Sequence, residues 1–147
     1  MATYEKISTI TAVLIVLAVF GAGFASTGSA TANTKDFYIK EIKLPDKIAS
    51  FDAFTPIGTF VNTGSNTFSG VNYKYSIKDA KGNDIVRNRD TADAVDLPAG
   101  ESMHELAEVG IIKARGAYIF TLEIDSEKEY DESDESNNIL TATFTVV

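Results

Sequence analysis

Two segments near the C-terminus alternate apolar and polar residues without a break, and they constrain the fold more than any other part of the chain. Tyr118, Phe120, Leu122 and Ile124 fall at every second position, as do Leu140, Ala142, Phe144 and Val146. A period of two sends successive side chains to opposite faces of an extended backbone, so each segment reads as a strand with one buried face. The intervening positions of the second segment, Thr141, Thr143 and Thr145, are polar and β-branched, which suits the solvated face of an antiparallel sheet.

The same grammar extends upstream. Phe37 to Leu44 is β-rich and stops at Pro45, which predicts a first strand at a sheet edge. Ile48 to Phe54 reads as an irregular second element, and Ile57 to Val61 as a strand closed by the turn Asn62-Thr-Gly-Ser65. Val71, Tyr73, Tyr75 and Ile77 alternate with Asn72, Lys74, Ser76 and Lys78, placing the first set inward and the second outward. This strand should turn through Asp79-Ala-Lys-Gly-Asn83, with Gly82 free to take positive φ, and return through Ile85 and Val86. Arg87 to Asp96 reads as irregular, Leu97 to Ser102 as a loop, and Met103 to Ile112 as a strand by context. Tyr73, Tyr75, Tyr118, Phe120 and Phe144 share the period and are expected in the core. About seven short strands at such spacing predict an all-β, immunoglobulin-like antiparallel β-sandwich.

Charge is concentrated between the last two strands. From Glu123 to Glu135 the chain carries eight acids and one Lys, a net of −7, against −8 for all 147 residues. No basic stripe exists to neutralise phosphates, so nucleic acid is not an expected partner. Carboxylate and amide oxygens are the donors that calcium takes, and Asp125, Glu127, Asp131, Asp134 and Glu135 are the candidate ligands. The spacing is not that of an EF-hand. The alternative is a solvated loop in which Asn137 and Asn138 bond nearby backbone and fix the start of the last strand.

Catalysis has little to work with. There is no cysteine, and the one histidine, His104, lies in His-Glu-x-x-Glu, which lacks the second histidine of a zinc-protease helix. It is expected as an outward polar residue on a strand. No phosphate loop or Gly-x-Ser-x-Gly elbow is present, and the chain reads as a non-enzyme.

The N-terminus points out of the cytoplasm. Ile7 to Phe24 carries no charge, and Ser29-Ala-Thr-Ala32 fits a cleavage site before Asn33. Residues 1–32 therefore read as a signal peptide, or as an uncleaved hydrophobic helix that anchors the chain in a membrane. Residues 33–147 form the exported domain, secreted or held at the cell surface.

Several signatures occur in order along that domain. They are Asn62-Thr-Gly64, Leu97-Pro-Ala-Gly-Glu-Ser102, Gly116-x-Tyr118-x-Phe120-x-Leu122-x-Ile-Asp125, and Glu132-Ser-Asp-Glu-Ser-Asn-Asn138. Together they resemble the CARDB family, the cell-adhesion-related domains of bacterial and archaeal surface proteins, over about Lys35 to Val147. The resemblance implies an immunoglobulin-like sandwich acting in adhesion or protein–protein interaction, with protein partners that include copies of itself. A looser likeness in organisation is to membrane-anchored archaeal surface proteins, such as filament subunits or stator components. In a filament the strand Phe37 to Leu44 would be donated to a neighbouring sheet. A third reading is a calcium-dependent binding domain.

Overall fold

The computed structural model describes residues 36–86 and 93–147. The expected leader or anchor, the boundary at Asn33 and most of the stretch from Arg87 lie outside these residues.

The described chain is all β. Its strands are β1 (Phe37–Lys43), β2 (Lys47–Ile48), β3 (Ile57–Asn62), β4 (Phe68–Asp79), β5 (Asp84–Val86), β6 (Asp93–Leu97), β7 (Gly100–Glu105), β8 (Gly116–Ile124) and β9 (Ile139–Val146). They form two sheets. One has the order β1-β3-β7, and the other runs β2-β9-β8-β4-β5 with β6 also paired to β4.

Pro45 explains how the chain passes between the sheets. It lacks an N–H and cannot continue the ladder that β1 makes with β3. The chain leaves that sheet, and Lys47 and Ile48 pair in parallel with Thr145 and Val146 of the other. Strand β4 is long enough to take two partners on one edge. Tyr73 to Asp79 pairs with β8, while the opposite edge is shared by β6 near Phe68 and β5 near Ile77.

The alternating residues meet between the sheets. Phe37, Phe60, Ile77, Leu97, Phe120, Leu122 and Ile124 are fully buried. Tyr118 stacks on Phe144 at 5.5 Å between ring centroids, and Tyr75 on Phe120 at 5.1 Å. Thr141, Thr143 and Thr145 are exposed on the outer face. Asn62 is a buried polar residue with its hydrogen bonds met. Its amide donates to the carbonyls of Asn66 and Leu97, and its Oδ1 accepts the N–H of Gly64. The turn after β3 is thereby tied to the end of β6.

Three local expectations need correction. Asp93 to Asp96, read as irregular, and Leu97, read as the start of a loop, form a strand. Only Val95 and Leu97 face the core there, too few to establish a period. The strand expected over Met103 to Ile112 ends at Glu105. Beyond it Leu106, Val109 and Ile112 are buried from an irregular segment held by an isolated bridge between Phe54 and Val109. Asn72, assigned outward by alternation, is buried.

Candidate functional site

The acidic connection between β8 and β9 is folded by its own carboxylates. Asp125 follows β8 with φ of 48°, in the left-handed region that Asp tolerates better than most residues. Its carbonyl accepts the N–H of Lys128 at 2.9 Å, and its N–H donates to the carbonyl of Asn72 at 2.8 Å. The carboxylate accepts the backbone N–H groups of Glu129 at 2.9 Å and Tyr130 at 3.2 Å. From β4, the Asn72 side chain completes the turn. Its Oδ1 accepts the Ser126 hydroxyl and the Glu127 N–H, both at 3.0 Å. Backbone groups that would otherwise be stranded beside the core are satisfied, which is why both side chains are buried.

Tyr130 then pins the loop to the sandwich. Its ring meets Phe37 at 5.6 Å and Phe68 at 5.3 Å, and those two rings lie 5.2 Å apart. An aromatic in the middle of the acidic run gives the loop an apolar footing at the start of β1.

The second half of the loop closes on the first strand. Glu132 Oε2 accepts the N–H of Phe37 at 2.9 Å, and Oε1 accepts the Asn138 amide at 2.7 Å. Asp36 accepts the N–H of Asp134 at 3.2 Å and the Asn137 amide at 3.4 Å. The carbonyl of Asn138 accepts the N–H of Ile124 at 3.0 Å, so the two strands meet across the loop. Burial pushes the Glu132 carboxyl up to about 7, against the two hydrogen bonds that favour its charge; repulsion from Asp125 and Glu135 adds to the rise. Asp134 behaves oppositely. The Ser136 hydroxyl and N–H hold its carboxyl below the usual range.

The five carboxylates named as calcium ligands do not converge. Asp125 is buried under backbone N–H groups, Asp134 binds Ser136, and Glu135 accepts the N–H of Glu132. Glu127 and Asp131 are exposed. Among the described residues no three Asp, Glu or His side chains gather as metal ligands would. Of the residues that organise this end, Glu132 enters the sequence reading only within a family signature and Asn72 only as an outward strand position, while Asp36 and Tyr130 are not singled out there. Tyr130 carried the one available signal, being the only aromatic within the acidic run.

His104 also differs from expectation. It is Met103 that points outward, while the His104 ring packs 5.8 Å from Phe60, with Nε2 3.0 Å from the Ser102 hydroxyl. Among the described residues no carboxylate is hydrogen-bonded to this ring.

With this geometry the fold is CARDB-like. No protein-family model matches the sequence, and no curated protein matches it. Solved structures do. A CARDB domain from Pyrococcus furiosus, crystallised with di-metal ions, is similar at a TM-score of 0.60 and 22% identity, covering 78% of this chain and 96% of that one. A domain of a proposed cell surface protein from Methanosarcina acetivorans gives 0.53 and 18%, covering 78% and 93%. A β-glucosidase from Listeria innocua gives 0.52 and 12%, covering 76% of this chain but 16% of the enzyme. The likeness is therefore to whole CARDB domains and to a small part of a larger enzyme.

Proposed function

We propose that the domain is a non-catalytic module of the cell surface that acts through contacts with other proteins. The observation that carries this reading is the fold-level likeness to entire CARDB domains, one of them from a proposed cell surface protein. The chemistry of the acidic end supports it. Asp125 and Glu132 are engaged in holding backbone and amide groups. An export signal or anchor over residues 1–32, the reading of the sequence, would put such a module outside the cytoplasm, and no nucleic acid belongs to this reading.

A filament subunit assembled by strand donation has weaker support. Strand β1 is already paired with β3 of its own chain, and its first N–H is anchored to Glu132. Donation would require both sets of bonds to be broken and remade in a neighbour.

The test is cross-linking of intact source cells with a membrane-impermeant lysine reagent, followed by mass spectrometry. Lys47, Lys81 and Lys113 are exposed and should form links to other surface proteins before lysis. Links that form only after lysis would remove the surface reading.

A further inference from the structure

One turn holds a large apolar side chain in water, through a backbone conformation that such a side chain resists. The Asp52 N–H donates to the Ala49 carbonyl at 3.1 Å, and Phe51 within that turn has φ of 78°. A left-handed φ there suits glycine, and a bulky residue is strained by it. Core packing does not offset the strain, since Phe51 is 65% exposed. The turn is nonetheless well fastened. The Ser50 N–H and hydroxyl both donate to the Val147 carbonyl, at 2.9 and 3.0 Å, and the Val147 N–H donates to the Ile48 carbonyl at 2.9 Å. The ring is presented from a fixed base, so less freedom is lost when it is bound.

A strained, exposed aromatic on a well-bonded turn is an outlier that binding explains and folding does not. Its setting favours a protein over a lipid surface. Exposed Asp46 and Asp52 flank the turn with one exposed base, Lys47, and none of the three is in the ion pairs found among the described residues. Lipid surfaces are commonly anionic and draw basic segments, not a net acidic one. The chain also enters the domain at Asp36, beside the acidic connection, whereas the turn lies past the far end of β9, roughly 25 Å along that strand. A membrane anchor before Asp36 would attach at the end away from Phe51. Free carboxylates beside an exposed ring match an apolar pocket with a basic rim.

We propose that Phe51 anchors the contact with another surface protein, its ring filling an apolar pocket that carries a basic group facing Asp52. The inference rests on the surface-module reading and names the residue through which that contact is made. It also accounts for a residue that the fold alone would replace with glycine, since binding sites commonly keep strain at a cost in stability. Truncating a buried aromatic anchor weakens a protein interface by about 30-fold or more.

The experiment is photo-crosslinking on intact source cells with two forms of the full chain, one carrying p-benzoylphenylalanine in place of Phe51 and one in place of Met103. Met103 is as exposed as Phe51, at 64%, but lies on β7 without positive φ. Position 51 should give one protein adduct that position 103 does not. Excess wild-type chain should suppress it, and Met103→Ala should suppress it equally well. Phe51→Gly should need about 30-fold or more chain for the same suppression, and Asp52→Asn several-fold more. Phe51→Asn is a second truncation that tolerates positive φ, and circular dichroism and melting show that each competitor is folded. The proposal is overturned by adducts alike at both positions, by an adduct with lipid or with a second copy of this chain, or by folded Phe51→Gly and Phe51→Asn competing as well as wild type. Lysine cross-links to surface proteins without an adduct at position 51 would remove this proposal and leave the surface reading standing. Absence of those links before lysis would remove both.

Discussion

Two turns in this molecule are each built around a carboxylate, and they place it in opposite environments. In the connection between β4 and β5, Asp79 Oδ1 accepts the N–H groups of Lys81 at 2.8 Å and Asn83 at 2.9 Å, and Oδ2 accepts the Asn83 amide at 2.8 Å. These bonds, led by that from the Asn83 side chain, hold the Asp79 carboxyl below its ordinary value. Glu132 also accepts one backbone N–H and one Asn amide, yet its carboxyl rises to about 7. The donors are alike, so burial and neighbouring acids account for the difference. Hydrogen bonds favour the charged form in both turns, and desolvation outweighs them in only one.

The largest effect that separates the two turns should come from Asp125→Ala. Asp125 is 2% exposed, and its loss strands the N–H groups of Glu129 and Tyr130 while placing Ala at positive φ. An unpaired buried donor and backbone strain together predict a loss of about 2–4 kcal/mol, read as a lower urea midpoint. Asp79→Ala frees groups that water can reach, and its shift should be clearly smaller. Equal shifts would show that the acidic loop is no more integral to the fold than the short turn.

The next contrast is in pH. The folded Glu132 carboxyl lies near 7 and its ordinary value is 4.5, so the folded state binds this proton more tightly. Its contribution to stability is complete below about pH 4.5 and is lost as pH rises through about 7. Asp79 has the opposite sign, since a lowered carboxyl stabilises above its ordinary value of 3.8 and fails as pH falls further. Urea midpoints measured in chelator should therefore decline from pH 4.5 to 7.5, and Glu132→Gln should flatten that decline. An unchanged slope in the variant would show that Glu132 titrates as an ordinary solvated acid.

These contrasts mark what sequence could and could not reveal. The Asp79 turn was legible because every residue that makes it is local: Asp79, Asn83 and Gly82 with φ of 84°. The strands with four alternating residues were legible for the same reason. The acidic loop was visible as a charge run, but its organisation depends on Asn72 from another strand and Asp36 from the far end of the chain. Alternation put Asn72 opposite its core neighbours Val71 and Tyr73 but could not show its burial, which comes from a turn far along the chain whose Ser126 hydroxyl and Glu127 N–H need an acceptor there. Charge density suggested that five carboxylates share a ligand; burial and backbone donors decide instead which of them are free.

The smallest prediction sharpens the role of Asp125 by comparing it with another residue at positive φ. Phe51, with φ of 78°, is the third residue of a turn closed by a 3.1 Å bond from the Asp52 N–H to the Ala49 carbonyl. Glycine is the favoured residue at that position, because a Cβ is crowded there. Asp125 offsets the same strain with two bonds accepted by its carboxylate, whereas Phe51 is 65% exposed and its ring stacks on no other ring among the described residues. Phe51→Gly should therefore stabilise the domain, by about 1 kcal/mol once the added chain entropy of glycine is set against the relieved strain. Asp125→Gly relieves the same strain and should still destabilise. Thermal midpoints that move in opposite directions would establish that the left-handed turn at Asp125 is held by its side chain. A fall in both would mean that the exposed Phe51 ring makes a contribution its surroundings do not reveal.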